Sequence, residues 1–331
     1  MRTVPIKLPN APMQLPQASV LGLGCAAMLG RTGRRDSLSA LTAAYDAGIT
    51  FYDTARSYGY GACEGLLGEF FAGSKRESVL LCTKFGILPA NPTGWKQRLK
   101  PLARAAVQVF PGLRSVARRQ AADQFVPGQF SVATLRSSLE TSLRELKTDY
   151  VDILLLHAAP IGALAQDDLM EEMARMRDAG KLRVAGISGE QDVVAAAFLQ
   201  RPPVLQTAQF ALNIFNMEFT GETAKAASSM FLVANHPFGG PDGVTQCRQR
   251  IARMRTSAAL PDSLRLKLAA DDDLLLPEVV LNSILTGTGV SVVIPAMMQP
   301  KHLRSNIQAV ESCRFSPEEL AALRTALCTA D

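Results

Sequence analysis

Four side chains able to give or take a proton stand at one kind of place in this 331-residue sequence. Asp53 closes Phe51-Tyr52-Asp53, with Thr54-Ala55 after it, and Tyr58 comes in the next loop. Lys84 closes Leu80-Leu81-Cys82-Thr83-Lys84, and His157 closes Asp152-Ile153-Leu154-Leu155-Leu156-His157. Each run reads as a β-strand covered on both faces, so each polar residue lies at or just past a strand's C-terminal end. A carboxylate, a phenol, an ammonium and an imidazole are the groups of general acid–base chemistry. Singly, each has a plainer reading: a histidine after a strand is more often structural, and Asp-Thr is often a turn. Together they make a site if the fold gathers those strand ends.

Gly22-Leu23-Gly24-Cys25-Ala26-Ala27 spells G-x-G-x-x-A after a strand, as dinucleotide-binding Rossmann units do. That reading requires a helix to begin inside the motif, so that its N-terminus meets a diphosphate. The next residues, Met28-Leu29-Gly30-Arg31-Thr32-Gly33, make a poor helix start, and the motif reads as a decoy.

The elements that would position the four residues alternate along the chain. Strands are expected at Val20–Gly24, Ile49–Asp53, Val79–Thr83, Val151–Leu156, Val184–Ser188, Val204–Gln206, Phe231–Ala234 and Val290–Ile294. Between them, helices are expected at Leu38–Ala47 (capped by Asp36 or Ser37), Glu64–Ala72, Val132–Leu146, Asp168–Ala179, Val193–Leu199, Glu222–Ser229, Pro277–Thr286 and Lys301–Ala309. A last helix is expected at Pro317–Cys328 behind Ser316. Eight strand-then-helix units predict an α/β fold, a single closed (β/α)8 TIM barrel, with residues 1–331 as one domain. The residues ahead of the first strand are expected to cap the barrel's bottom. Two long loops, residues 87–130 and 239–276, leave the C-terminal face of the strands, where barrel enzymes place their sites. The first carries Lys96, Arg98, Lys100, Arg104, Arg114, Arg118 and Arg119 against one acid, Asp123. It reads either as a solvated excursion or as a basic rim that attracts an anionic substrate or cofactor.

Hydrophobic residues make up 47% of the chain and charged residues 20%, enough to bury a large core. A net charge of +5 without a dense Lys/Arg run speaks against nucleic acid as a partner. No apolar run is long enough for a membrane span. Pro5, Pro9, Pro12 and Pro16 interrupt the stretch a signal peptide would need to be apolar. The six cysteines (Cys25, Cys63, Cys82, Cys247, Cys313 and Cys328) form no CxxC pair, which fits reduced thiols in a cytoplasmic protein better than disulfides or zinc.

The motif residues also carry a resemblance. Gly48-Ile49-Thr50-Phe51-Tyr52-Asp53-Thr54-Ala55-Arg56-Ser57-Tyr58-Gly59, continued by Glu64, Gly68 and the Thr83-Lys84-Phe85-Gly86 turn, resembles the aldo-keto reductase family. So do Thr148-Asp149-Tyr150-Val151-Asp152 leading to His157, Gly180-Lys181-Leu182-Arg183-Val184-Ala185-Gly186-Ile187-Ser188, and Val293-Ile294-Pro295 with Asn306. The resemblance implies a TIM barrel that uses a nicotinamide cofactor without a Rossmann fold, and a catalytic tetrad of Asp53, Tyr58, Lys84 and His157. The chemistry is sound: a phenol whose pKa is lowered by a nearby ammonium can hand a proton to a carbonyl oxygen. Asp53 would hold Lys84, and His157 would orient the substrate oxygen.

For the cofactor, NADP(H) or NAD(H), the resemblance assigns Ser188 and Gln206 to the nicotinamide carboxamide. Gly189 replaces an asparagine common at the next position, and Asn235 stands where the family usually has a ring-stacking tyrosine. At the adenine end Ala296, Met297, His302 and Ser305 depart from the pattern, while Asn306 keeps it. Met297 and Met298 read as packing. With no side-chain donor from Ala296 or Met297, weak discrimination between NADPH and NADH is expected, with Arg304 available to hold a 2′-phosphate. The leading expectation is an NAD(P)-dependent oxidoreductase acting on an aldehyde, ketone or sugar-like alcohol, monomeric, with a small-molecule substrate. The alternative is a non-catalytic regulatory subunit that keeps the barrel and cofactor site.

Overall fold

Side chains along a strand alternate between two faces, so the inward row of each strand decides what a barrel brings together. In the computed structural model, which describes residues 1–5, 17–89, 125–200, 202–215, 221–257, 260–270 and 272–329, eight parallel strands form one sheet. They are β1 (Gly22–Gly24), β2 (Phe51–Asp53), β3 (Leu80–Phe85), β4 (Val151–His157), β5 (Leu182–Gly189), β6 (Leu205–Ala211), β7 (Phe231–Asn235) and β8 (Val292–Ile294). Each pairs with its neighbours in chain order, and a bridge from Leu21 to Val293 closes the ring, with the Val293 amide donating to the Val20 carbonyl at 2.9 Å. This is the expected (β/α)8 barrel.

The interior is filled by Phe51, Leu80, Cys82, Ile153, Leu155, Val184, Phe231, Val233, Val292 and Ile294, all buried. One step of two residues further along five of these rows lands on Asp53, Lys84, His157, Ser188 (via Gly186) and Asn235. The apolar filling is thus what sets the height and direction of the polar residues above it. Gly22 and Gly24 belong to this packing: a Cβ on Gly22 would lie 2.8 Å from the Phe51 ring, and one on Gly24 2.9 Å from Ile294. Glycine is needed there for close approach, and no helix begins until Arg34. The G-x-G run is a decoy for that reason.

At the bottom, Thr3–Val4 pairs antiparallel with Ala18–Ser19, and Ala18 and Val4 pack under the interior cluster, while residues 6–16 of the segment expected to cap the barrel lie outside the described residues. Among the described residues, the outer layer consists of α1 (Arg34–Asp46), α2 (Cys63–Phe70), α3 (Val132–Leu146), α4 (Asp167–Asp178), α5 (Gln191–Gln200), α6 (Gly221–Ala227), α7 (Gly240–Met254), α8 (Asp262–Ala269), α9 (Leu275–Gly287), α10 (Pro300–Glu311) and α11 (Pro317–Thr329). The α3 N-terminus is capped by Ser131, whose hydroxyl accepts from the Thr134 amide at 3.1 Å. At α11 a reciprocal box forms: Ser316 Oγ accepts from the Glu319 amide at 3.2 Å, and Glu319 Oε2 accepts from the Ser316 amide at 2.7 Å.

Two expectations change. The α1 helix starts at Arg34, with Gly33 as its uncapped N-terminus, so Asp36 and Ser37 are not caps; Ser37 is buried and donates to the Gly33 carbonyl at 2.8 Å. Residues 239–276 are not an unstructured loop. They hold α7 and α8, because Cys247, Ile251 and Met254, then Leu264 and Leu268, supply buried apolar positions at helical spacing. Of the first excursion only the base is described, an antiparallel pairing of Leu88–Pro89 with Phe125–Val126. Its basic residues Lys96 to Arg119, and Asp123, lie outside the described residues. Among the described residues, no helix is long and apolar enough to cross a membrane, and no three His, Cys, Asp or Glu side chains cluster as a metal site would require.

Candidate active site

Lys84 is the hub of the barrel's C-terminal mouth. Fully buried on β3, its Nζ donates to Asp53 Oδ1 at 2.6 Å, to the Thr54 carbonyl at 2.9 Å and to the Tyr58 hydroxyl at 3.3 Å. Three acceptors use all three ammonium hydrogens. Burial alone would lower the Lys84 pKa, but the Asp53 carboxylate beside it, helped by Tyr58, holds it above the ordinary lysine value. The turn after β3 depends on Gly86, where φ is +109° and a Cβ would lie 2.2 Å from the Phe130 ring.

Tyr58 opens a short 3-10 turn, Tyr58–Gly61, that places its ring edge-on to His157, with centroids 5.9 Å apart and planes at 82°. Here the electrostatics differ from expectation. Burial pushes the Tyr58 phenol up to about 12; Lys84 pulls it down, and Asp53 works against Lys84. The ammonium therefore limits the rise and does not bring the phenol below its ordinary value. Burial, and then the Lys84 charge, depress His157 to about 3, so the imidazole is neutral at physiological pH. Its Nδ1 is buried without a protein partner among the described residues.

A fifth residue joins this group. Gln209, on β6, donates from Nε2 to Asp53 Oδ1 at 2.8 Å and accepts at Oε1 from Ser188 Oγ at 2.8 Å. Ser188–Gln209–Asp53–Lys84–Tyr58 is thus a continuous hydrogen-bonded path across the mouth. Gln206, the residue expected beside Ser188, is not on it. It sits at an irregularity between Leu205 and Thr207, three residues and about 10 Å further down the strand. Its position is also out of step with Gln209 in the two-residue alternation. The sequence predicts an end to β6 at Gln206, whereas the strand runs to Ala211 and pairs Gln209 with Ser188. Counting the inward row past Thr207 would have found Gln209.

Behind the site, Glu64 on α2 forms a buried ion pair with Arg56 and accepts from Thr83 Oγ1 at 2.6 Å, while the Arg56 amide donates to the Lys84 carbonyl at 3.2 Å. These contacts clamp the β2 and β3 ends together. The Thr148-Asp149-Tyr150-Val151-Asp152 run does a different job. Asp152, fully buried, binds Arg76 at 2.8 Å, Arg183 at 2.9 Å and the Leu81 amide at 2.9 Å, and the two guanidinium groups lie 4.2 and 4.0 Å from the Tyr150 ring centre.

A barrel whose mouth holds this Asp–Tyr–Lys–His group can be compared with known proteins. The sequence profile described as "Aldo/keto reductase family" matches residues 20–327. The chain belongs to the aldo/keto reductase family. Aldo-keto reductase YhdN of Bacillus subtilis (strain 168) is 31% identical over 207 residues, which is 61% of this chain and 52% of YhdN, so the match spans about half of that relative. Among solved structures, an aldo-keto reductase of Bacillus halodurans in its holo form superposes with a TM-score of 0.68 at 21% identity, covering 98% of this chain and 96% of that one. An aldo/keto reductase of Klebsiella pneumoniae in complex with NADP and acetate gives 0.62 at 22% identity, covering 94% and 92%. These two likenesses show the fold.

Within the aldo/keto reductase frame, the other expected residues fall into two groups. Asn235 ends β7 and lies with Oδ1 3.0 Å from His236 Nδ1, and Met297 is buried, in keeping with the packing reading. His302 and Arg304 are exposed on α10, and Asn306 is buried on the same helix. These three stand apart from the hydrogen-bonded path at the mouth.

Proposed function

We propose that this chain is an NAD(P)-dependent oxidoreductase that moves a hydride between a nicotinamide cofactor and an aldehyde, ketone or sugar-like alcohol. The observation that carries the reading is the buried Lys84 ammonium between Asp53 at 2.6 Å and the Tyr58 phenol at 3.3 Å. A protein that only bound partners would have no use for a buried charge aimed at a phenol, which speaks against the regulatory-subunit alternative.

Residues present at the mouth suit the nicotinamide group. Gln209 has an amide hydrogen and a lone pair beyond those used by Asp53 and Ser188, and both match a carboxamide. Asn235 offers no ring, so stacking on the nicotinamide must come from elsewhere or be forgone. His302, Arg304 and Asn306 on α10 are assigned to the adenine end, with Arg304 the group suited to a 2′-phosphate. Bound NADPH or NADH would supply the hydride.

Tyr58 then delivers its proton to the carbonyl oxygen, and Lys84 stabilises the phenolate left behind. Asp53 keeps Lys84 charged and aimed. Neutral His157, with a polar nitrogen unclaimed by the described residues, orients the oxygen. Free Cys25, Cys63, Cys82, Cys247 and Cys313 suit a reducing cytoplasm. The test is a panel of aldehydes, ketones and sugar alcohols with each cofactor, monitored at the nicotinamide absorbance. Cofactor-dependent turnover is expected. No turnover with any pair, in a protein that still binds cofactor, would favour the binding-only reading.

A further inference from the structure

The Tyr58 phenol stands in a turn and the Lys84 ammonium on a strand, so their spacing depends on what joins the two backbones. After β2 the chain stays bonded to β3: the Thr54 amide donates to the Cys82 carbonyl at 2.8 Å, and the Arg56 amide to the Lys84 carbonyl at 3.2 Å. From there to α2 the turn is held by short-range bonds, the Tyr58 amide to the Ala55 carbonyl at 3.0 Å and the Ala62 amide to the Gly59 carbonyl at 3.3 Å. Its two ends, Arg56 and Glu64, meet in a buried ion pair through Glu64 Oε2. The other oxygen of that carboxylate, Oε1, accepts from Thr83 Oγ1 at 2.6 Å, and Thr83 is the residue before Lys84. In the two-residue alternation Thr83 faces the opposite way from Lys84, toward the outer layer.

One carboxylate, 1% exposed, therefore holds the backbone on both sides of the phenol–ammonium contact. At 3.3 Å that contact is the longest of the three made by Lys84 and beyond the usual N–H···O range, so a small shift of either backbone alters it most. Burial raises the Tyr58 phenol, and Lys84 is the group that pulls it back. Stability alone is a poor reason for the ion pair, since apolar side chains of similar volume are often as stable or more so. A fixed geometry is the better one.

Resting on the reductase reading of the same site, we propose that Glu64 is a positioning residue, which acts through Arg56 and Thr83 to hold the Tyr58 hydroxyl at the Lys84 ammonium. Its share is in the proton step and not in binding.

The experiment uses Thr83→Val, which cuts one of the two contacts and leaves the ion pair intact, and Thr83→Ser, which keeps both. The measurements are kcat, the KM for cofactor and for carbonyl, the solvent deuterium isotope effect on kcat and the melting temperature. The NMR signal of isotope-labelled Tyr58, assigned by its loss in Tyr58→Phe, is read without cofactor. In Thr83→Val, kcat should fall about tenfold and the isotope effect should rise, with both KM values within about twofold. The Tyr58 signal should move, and Thr83→Ser should match the wild type throughout. A Thr83→Val enzyme that melts lower but keeps its kcat would show that the carboxylate only braces α2 against the barrel, and would overturn the proposal. A loss spread equally over kcat and the cofactor KM would overturn it too. A Tyr58 signal that stays in place sinks this inference whether or not the enzyme turns over. If the signal moves but the wild type reduces no carbonyl, the reductase reading fails while the positioning of the phenol stands.

Discussion

Gln209 Nε2 donates to Asp53 Oδ1 at 2.8 Å, tying the sixth strand to the second across the barrel mouth. Its other end holds Ser188, so one amide links the side chains assigned to the cofactor with those assigned to the proton. Gln209→Leu should therefore raise the KM for cofactor and also lower kcat, each by about tenfold, since Asp53 loses a hydrogen bond to a charged group. Gln206→Leu should leave both within about twofold. Steady-state kinetics of the two variants decide the assignment; the reverse ranking would return the carboxamide contact to Gln206.

Tyr58→Phe retains the ring and removes the proton. Turnover should drop by roughly 10²–10⁴-fold with cofactor affinity unchanged. Lys84→Met should be comparably damaging, since it also leaves Asp53 without its cation. A Tyr58→Phe enzyme that keeps a tenth of the wild-type kcat would show that the acid lies elsewhere.

The raised phenol gives the two reaction directions opposite pH dependence. With Tyr58 near 12, the protonated acid needed for carbonyl reduction is present throughout pH 6–9, and that rate should be flat. Alcohol oxidation needs the phenolate, whose fraction grows tenfold per pH unit below the pKa, so that rate should climb across the same range. Equal profiles in the two directions would count against Tyr58 as the shared group.

His157 predicts an acid-side loss of stability. Folded, it stays neutral down to about 3, whereas the unfolded chain takes up a proton near the ordinary value of about 6.5. Between those values the unfolded state binds more protons. The contribution is complete above that window and shrinks as pH falls through it, at no more than about 1.4 kcal/mol per pH unit. Carboxylates add to the same trend in wild type and variant alike, so the difference between them isolates the imidazole. Melting temperatures at pH 7 and pH 4.5 should diverge less in His157→Gln than in the wild type.

Tyr52 offers a gain in stability. Its ring is buried against Phe71, with centroids 4.6 Å apart, and its hydroxyl has no hydrogen-bond partner among the described residues. A buried hydroxyl left unmet costs roughly 1–3 kcal/mol. Tyr52→Phe keeps the packing and should raise the unfolding free energy by about 1 kcal/mol, read from urea titration. A loss of stability would mean that the hydroxyl is satisfied in solution.

How far the sequence can be read depends on the kind of regularity involved. Strand ends fall within about two residues of the structure wherever an apolar run stops abruptly, as at Asp53 and His157. Two-residue alternation then aligns these residues with Lys84 at one height. The pattern breaks at β6, where Gln206-Thr207 interrupts the apolar run and hides the continuation to Gln209. It breaks again at 239–276, where Gly239-Gly240-Pro241 and Pro261 read as loop punctuation although Pro241 and Pro261 sit at helix N-termini. Pairings across loops, such as Arg56 with Glu64, leave no periodic trace. Burial leaves none either, which is why the Tyr58 phenol moves in the direction opposite to the one its lysine neighbour suggests.

The Arg76–Asp152–Arg183 cluster around Tyr150 changes what a loss-of-function screen would report. Removing one partner of a buried ion pair typically destabilises by about 3–5 kcal/mol, a large part of a protein's whole margin. A cell carrying Asp152→Ala would hold little folded protein, and lysate activity would vanish much as it would for a Lys84 variant. The molecules that did fold would still have Tyr58, Lys84 and His157 in place. Activity per folded molecule, and not activity per cell, is the quantity that separates the two kinds of residue in this chain.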